Sequence, residues 1–252
     1  MTTFCQNCNT ELQGKYCSNC GQSAETHKIN VHYLWHDIQH GLLHLDKGIL
    51  FTTRELFTRP GHSIREFLEG KRVKHFKPIS LVLVLAGIYG LLFHFFKIDM
   101  FANYVVISGS GEKVNHINEV IAKTSEWISQ HYAILAILQI PIFAIGTYLC
   151  FRKGGYNFIE HLIINSFLVG QRLILHIITF PIYYISSGTP MLIKTDRIIN
   201  LIGYALAVWT LIQLFKNQRN RILKTTVSLL ISFLIIFLLL IGGLVYVSAF
   251  IK

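Results

Sequence analysis

The sequence predicts a mainly α-helical membrane protein with a small four-cysteine zinc ribbon near its N-terminus. Three observations support this fold class. Of the 252 residues, 52% are hydrophobic and 14% are charged, whereas soluble domains carry about 25% charged residues. The apolar residues are gathered into runs long enough to cross a bilayer. Four of the five cysteines form two Cys-x-x-Cys pairs.

The two cysteine pairs are typical of a structural zinc ribbon, which we expect over residues 1–26. Two residues between the cysteines of a pair let one tight turn present both thiolates to a single Zn²⁺. Four cysteine ligands also leave no open coordination position for catalysis. The expected ligands are Cys5, Cys8, Cys17 and Cys20.

The residues that follow each pair fit this interpretation. Asn9 and Gly21 come directly after the second cysteine, and both residue types tolerate the positive φ that such a turn requires. The alternatives are two disulfides or a redox Cys-x-x-Cys motif. A reducing compartment disfavours the disulfides, and the redox motif occurs singly within βαβ units, which this sequence lacks.

Residues 27–77 are expected to form a cytoplasmic linker of amphipathic helices that lie along the membrane surface. Asn30 can cap the first of these helices, whose apolar residues recur at helical spacing. Its other face carries histidines that either bind a second metal ion or form an ordinary polar face. These histidines are His32, His36, His40 and His44.

The end of the linker leads directly into the first apolar run. Ser63 and Glu66 predict a capping box that begins a short helix, and Gly70 is expected to end it. A basic cluster follows, which we expect to contact anionic lipid headgroups rather than nucleic acid, because it adjoins a membrane segment. The expected headgroup-contacting residues are Lys71, Arg72, Lys74 and Lys77.

Residues 78–252 are expected to form a bundle of five transmembrane helices, because each of five runs supplies about 20 mostly apolar residues. No secretory signal peptide is visible ahead of them. Basic residues are concentrated in the loops that this count places on the side of the N-terminus. We therefore expect a multi-pass protein of the cell (inner) membrane with its N-terminus in the cytoplasm and its C-terminus outside. The predicted spans are 78–96, 132–151, 158–184, 198–215 and 226–251.

The third predicted span is unusually polar. Four of its polar side chains fall within about 60° of one another on a helix. Such groups either form an ion, proton or polar-substrate site or hydrogen-bond between helices to hold the bundle together. Their expected partners on other spans are His94, Gln139 and Gln213. The candidate residues are Glu160, His161, Asn165, Gln171, Arg172 and His176.

Several motifs are distributed along the chain: Tyr-Cys-Ser-Asn-Cys-Gly-Gln at 16–22, Thr53 with Leu56 and Pro60, Gly-Lys-Arg at 70–72, Phe-Lys-Pro-Ile at 76–79 and Glu-His-Leu at 160–162. Together they resemble the bacterial membrane family known as domain of unknown function 3667. The resemblance is strongest over about residues 5–80 and implies a zinc-ribbon membrane protein with no established activity.

Two functional classes remain open from the sequence. A non-enzymatic scaffold or regulatory protein would use the zinc ribbon to hold a cytoplasmic protein partner while the spans anchor it in the lipid bilayer. A transporter or channel would use the polar residues of the third span. An intramembrane hydrolase is less favoured, because no His-Glu-x-x-His or comparable pattern occurs.

Overall fold

The computed structural model describes most of the cysteine-rich segment, the linker end and the helical bundle. The described residues are 4–24, 26, 29–31, 33, 48–98, 131–250 and some positions between 114 and 127. In the last helix, side chains are described as far as Gly242 and the backbone as far as residue 250. The predicted histidine face, His32, His36, His40 and His44, lies outside the described residues.

Two short helices precede the bundle, α1 (Gly48–Thr58) and α2 (Pro60–Leu68). Helix α2 begins at Pro60, so the predicted capping box at Ser63 and Glu66 is wrong. Proline is favoured at the first helical position, because its φ is already helical and the N–H it lacks has no partner there. Ser63 Oγ instead lies 2.9 Å from His75 Nε2.

Gly70 stops helix α2, as predicted, two residues after its last helical residue, Leu68. Gly70 has φ 105°, a backbone conformation that strains residues with a Cβ. Its N–H donates to the carbonyl of Phe67 at 3.2 Å, and the N–H of Lys71 donates to Glu66 at 2.9 Å. These two bonds form a Schellman motif, which turns the chain sharply after the helix.

Among the described residues, five helices are long and apolar enough to cross a membrane. This confirms the predicted mainly α-helical fold and indicates a multi-pass membrane protein. Helix α4 has the bounds of the second predicted span. The five long helices are α3 (Pro78–Phe95), α4 (Tyr132–Phe151), α5 (Phe158–Ile178), α7 (Met191–Leu214) and α8 (Arg221–Phe250). A short helix, α6 (Phe180–Ser186), lies between α5 and α7 in the chain.

The third predicted span, 158–184, is two helices in the structure. Helix α5 ends at Ile178, and α6 begins at Phe180. Pro181 explains the break, because it has no N–H to continue the hydrogen-bonding pattern of α5. Helices α7 and α8 begin earlier than the predicted spans 198–215 and 226–251. Each starts with a stretch that contains charged residues, which an apolar criterion leaves out; these are Lys194, Asp196 and Arg197 in α7 and Arg221 and Lys224 in α8.

Helix α5 occupies the centre of the bundle. An apolar stretch of 18 residues in α5 is 67% buried, whereas the corresponding stretches of the other four long helices are 44% buried or less. Helix α5 packs against α3, α4 and α7. Helix α8 is peripheral and packs mainly on α4. Its buried polar side chains, Thr225, Ser228 and Ser232, are small enough to let two helices approach closely.

One end of the bundle gathers three chain segments that are far apart in sequence. Asn157 Nδ2 donates to the carbonyl of Ile29 at 3.2 Å, and Gln218 Nε2 donates to that of Lys153 at 3.3 Å. The N–H of Gly61 donates to Gln213 Oε1 at 2.7 Å. The linker, the loop after α4 and the loop after α7 therefore lie at the same end of the bundle.

Candidate functional site

The cysteine module, residues 4–24, contains two turns of the same geometry. In the first turn the N–H of Asn9 donates to the carbonyl of Cys5 at 2.8 Å, and in the second the N–H of Gly21 donates to Cys17 at 2.9 Å. Asn9 has φ 59° and Gly21 has φ 74°. The positive φ expected at these two positions is thus confirmed.

Each turn is closed by its own flanking residues. Isolated antiparallel bridges join Phe4 to Glu11 and Tyr16 to Ser23. Each bridge brackets one Cys-x-x-Cys pair, so each turn is a small loop held at its base by backbone hydrogen bonds. The two loops present their sulfur atoms to each other.

The four sulfur atoms form one compact group, and every pair lies within 4.8 Å. Cys5 Sγ is 3.6 Å from Cys20 Sγ, and Cys8 Sγ is 3.4 Å from Cys17 Sγ. A tetrahedral ion with metal–sulfur bonds of about 2.3 Å separates its ligands by about 3.8 Å. All four are free cysteines, and their arrangement fits a single metal ion rather than two disulfides.

The two half-exposed thiols have opposite electrostatic surroundings. Hydrogen bonding with Thr10, whose Oγ1 lies 3.2 Å from Cys8 Sγ, lowers the pKa of Cys8 to about 6. Burial raises the pKa of Cys20 to about 11. Because a metal ion binds the thiolate form of cysteine, occupation of the site displaces the protons that the four thiols hold.

The side-chain amide of Gln22 attaches the cysteine module to the segment after α2. Its Nε2 donates to the carbonyl of Gly70 at 2.8 Å, and its Oε1 accepts from the N–H groups of Arg72 at 3.0 Å and Val73 at 3.3 Å. Gln22 is only 5% exposed. The amide therefore satisfies three backbone groups of a turn that leads directly into α3.

Arg72 differs from the lysines of the predicted headgroup cluster. Its guanidinium lies 4.9 Å from the Tyr33 ring centroid and 5.5 Å from that of Phe67, and its Nε donates to the Phe67 carbonyl at 3.1 Å. Burial lowers the pKa of Arg72 from its ordinary value. These contacts lie within the protein, so headgroup contact stays a prediction chiefly for Lys71, Lys74 and Lys77.

On the third span, His161 and Asn165 meet at Thr147 of α4. His161 Nδ1 lies 3.0 Å from Thr147 Oγ1, and Asn165 Nδ2 donates to the same oxygen at 2.9 Å. Sequence reasoning did not single out Thr147. The sequence feature that could have identified Thr147 is its hydroxyl group in an otherwise apolar span, because a buried polar group needs a hydrogen-bond partner.

Glu160 and Gln171 have structural partners. Glu160 forms a capping box with Asn157, in which each side chain accepts from the other's N–H at 2.9 and 2.7 Å. Gln171 Nε2 donates to the carbonyl of Leu56 in α1 at 2.5 Å, and Thr210 Oγ1 of α7 donates to Gln171 Oε1 at 3.3 Å. Gln171 thus joins a linker helix to two membrane helices.

Arg172 and His176 have further, separate partners. Arg172 donates to Gln139 Oε1, one of the partners expected from the sequence. His176 Nδ1 lies 3.0 Å from the hydroxyl of Tyr183, which donates to Asp196 Oδ1 at 3.2 Å.

The six candidate residues therefore contribute to several distinct contacts rather than to one polar cluster. Of the other partners expected from the sequence, His94 is exposed, and Gln213 accepts from Gly61 instead of from α5. Most of the contacts join different helices, which is the arrangement expected of hydrogen bonds that hold a bundle together.

The comparisons with known proteins concern the linker and the first membrane helix. Residues 46–90 match a family model described as "Protein of unknown function (DUF3667)". This stretch contains α1, α2, the basic segment and most of α3. No curated protein and no solved structure matches the chain. Over its linker and first membrane helix, the chain is thus similar to a family whose function is not established.

Proposed function

We propose that the chain is a non-enzymatic scaffold or regulatory protein of the cell membrane, in which a zinc-bound cysteine module holds a protein partner in the cytoplasm. The contact between Gln22 and the turn at Gly70 carries this proposal. Through it, a metal-dependent module is attached to the segment that enters the first membrane helix. A partner bound to the module is then held at a fixed place on the membrane protein.

Zinc is the metal that the cysteine module would hold. Four thiolates at this spacing are the usual ligands of structural Zn²⁺, and softer ligands favour it over Mg²⁺ or Ca²⁺. Cys5, Cys8, Cys17 and Cys20 lie close enough together to bind one ion and would fill all four of its coordination positions. No position would remain for a water or a substrate, which supports a structural rather than a catalytic role.

The distribution of basic residues supports a cytoplasmic cysteine module. The loop after α4 carries Arg152 and Lys153, and the segment around the start of α8 carries four further basic residues between 216 and 224. Asn157, in the loop after α4, bonds to Ile29 of the linker, and Gln218, in the loop after α7, bonds to Lys153. Both loops therefore lie at the end of the bundle where the linker lies. Lys and Arg accumulate on the cytoplasmic side of membrane proteins, so five crossings put the C-terminus outside.

Two aromatic residues of the cysteine module are available to a partner. Phe4 is 53% exposed and Tyr16 is 69% exposed, and each immediately precedes the first cysteine of its turn. Exposed aromatic side chains on a rigid support commonly provide the main binding energy of protein interfaces. We propose that the partner contacts these two side chains.

The polar contacts of α5 favour this proposal over transport. The polar side chains of α5 form hydrogen bonds with partners at three different places, namely Thr147, Gln139 and Tyr183. A transport site requires polar groups that converge on one position. Separate interhelical hydrogen bonds instead stabilise the bundle that anchors the module.

Site-directed photocrosslinking in native membranes tests the proposal. A photoreactive amino acid at Phe4 or Tyr16 should yield a defined protein adduct, while the same group at exposed Ser18 serves as a position control. The double variant Cys5→Ser/Cys8→Ser should lose the adduct and still insert in the membrane. The proposal fails if the adduct persists in the double variant, or if no adduct forms from either aromatic position.

A further inference from the structure

Two loops at the linker end of the bundle are fastened to each other. Phe151, at the end of α4, stacks on Phe215, which follows α7, with ring centroids 3.9 Å apart. Gln218 Nε2 donates to the carbonyl of Lys153 at 3.3 Å, and Lys224 Nζ donates to Gln218 Oε1 at 3.1 Å. One amide thus links the two loops and also positions the ammonium group of Lys224. We call these segments the joined loops; they comprise residues 152–157 and 215–224.

The joined loops carry a concentrated positive charge. The sequence contains no Asp or Glu in residues 127–159 or 197–252, and among the described residues no ion pair involves a basic side chain of the joined loops. The next carboxylate along the chain, Glu160, caps α5, and Glu69 of the linker adds one negative charge near Tyr156. The basic residues are Arg152, Lys153, Lys216, Arg219, Arg221 and Lys224.

Membrane orientation does not explain why the loops are fastened together. Basic residues orient a membrane protein through their number in short loops, which requires no contact between one loop and another. Lys224 Nζ is nevertheless held 5.9 Å from the centroid of the Phe151 ring, and Arg221 donates to the carbonyl of Lys216 at 3.0 Å. Cations that are already held in place lose less conformational entropy when they bind an anion. These contacts therefore favour a binding surface for anionic groups.

Exposed apolar residues beside the cations indicate a lipid rather than a soluble polyanion. Ile222 is 64% exposed and Leu223 is 62% exposed, and both lie between Arg221 and Lys224 in the first turn of α8. A phospholipid joins a phosphate headgroup to apolar chains, so it can contact both kinds of side chain at once. A nucleic acid or another soluble polyanion has no apolar chains to place against Ile222 and Leu223.

We propose that the joined loops bind the phosphate headgroup of an anionic phospholipid, with Ile222 and Leu223 against its acyl chains. The guanidinium groups of Arg152 and Arg219 are suited to this headgroup, because each can donate two parallel hydrogen bonds to a phosphate. The site consists of different residues from the predicted headgroup cluster before α3. It requires neither the metal ion nor the partner of the cysteine module.

Lysine footprinting of the purified full chain in uncharged detergent tests the proposal. Acetic anhydride labels exposed ammonium groups, and mass spectrometry gives the labelling rate of each lysine with and without added lipid. Phosphatidylglycerol, which is anionic, should slow the labelling of Lys153 and Lys216 at least about fivefold more than that of exposed Lys194, which lies near the opposite end of α7. Phosphatidylcholine, which is zwitterionic, should produce no such selective protection.

The variant Gln218→Ala tests the fastening of the loops without changing their charge. It removes the amide that bonds to Lys153 and Lys224, so the selective protection by phosphatidylglycerol should fall at least about threefold. The matched control is Asn217→Ala at the exposed neighbouring position, which should keep the protection of the wild type.

A double arginine variant tests the charge. Arg152→Gln/Arg219→Gln removes two cations and keeps the lysines that report binding, so the selective protection should fall at least about tenfold. Arg54→Gln/Arg197→Gln removes two exposed cations elsewhere and is the matched control. Elution as a single species in size-exclusion chromatography verifies the folding of each variant, and Gln218→Ala keeps the test valid if the double arginine variant does not fold.

Three results would overturn the proposal. Equal protection of Lys194 would mean that the lipid acts only through the charge of the whole detergent micelle. Wild-type protection in either Gln218→Ala or the double arginine variant would show that the joined loops are not the binding site. Equal protection of Lys153 and Lys216 by a short DNA duplex would identify a surface for soluble polyanions rather than for lipids.

Discussion

The Nε2 of Gln22 donates a 2.8 Å hydrogen bond to the carbonyl of Gly70, and this contact joins the cysteine module to the entrance of the first membrane helix. Gly70 lies within residues 46–90, which match the family model, whereas Gln22 lies before them. Their direct contact couples the two segments, because a change in either residue would leave buried polar groups of the other unpaired.

Replacement of Gln22 by alanine should release the cysteine module from the linker. The variant leaves the carbonyl of Gly70 and the N–H groups of Arg72 and Val73 without their partner, at a cost of about 1–3 kcal/mol. Hydrogen exchange over residues 70–73 should accelerate, while exchange in α5 stays as in the wild type. Exposed Gln13→Ala is the matched control, and equal exchange rates in the two variants would contradict the contact.

Gly70→Ala should destabilise the same attachment from the other side. Gly70 has φ 105°, and an added Cβ would also meet the side chain of Gln6. The strain of this backbone conformation costs about 1–3 kcal/mol. Gly14→Ala serves as the control, because nothing lies within 4 Å of a Cβ there. Thermal unfolding of the purified protein should show a lower midpoint for Gly70→Ala alone, and equal midpoints would refute the assigned strain.

His75 should make the stability of the protein depend on pH. Burial lowers the pKa of His75 from 6.5 to about 4 in the folded chain. Below pH 6.5 the unfolded chain therefore binds more protons, so stability is fully present above that pH and falls as the pH drops toward 4.

The variant His75→Gln isolates this contribution, because a glutamine does not titrate and can still reach Ser63 Oγ. Unfolding midpoints measured between pH 7.5 and pH 4.5 should decline less steeply in the variant than in the wild type. Parallel profiles for the two proteins would show that His75 is not the source of the pH dependence.

Thr147→Val should loosen the packing of α4 against α5. Valine has nearly the shape of threonine but offers no oxygen to His161 and Asn165. Interhelical hydrogen bonds in membrane proteins contribute about 0.6–2 kcal/mol, and we expect a loss of this order in unfolding by denaturing detergent. Thr226→Val is the control, since Thr226 is exposed and bonds only to its own helix. A loss no larger than that of the control would argue against the contact.

Local signals in the sequence account for much of the fold. The tight cysteine turns require positive φ directly after them, so Asn9 and Gly21 could be assigned their conformation in advance. The second span was predicted with its observed bounds, 132–151, because a basic turn follows its apolar run at once. Where local signals compete, the prediction failed: Ser63 and Glu66 fit a capping box, but Pro60 begins the helix earlier.

Contacts between distant segments could not be predicted from one sequence. The helical period places His161, Asn165, Arg172 and His176 on one side of α5, but the helices that face this side are decided by packing. Thr147 and Tyr183 therefore emerged as partners only in the structure. The link between Gln22 and Gly70 likewise depends on how the linker folds back on the cysteine module.

The central claim is that a metal ion in the cysteine module maintains its attachment to the first membrane helix. Hydrogen exchange at the Arg72 and Val73 amides of the full chain, before and after removal of zinc by a chelator, tests it most directly. Metal removal unfolds small cysteine-ligated modules, so both amides should be protected in the zinc-bound protein and lose that protection on chelation while α5 is unaffected. Unchanged protection of Arg72 and Val73 after zinc removal, or a purified chain that binds no zinc, would contradict the claim.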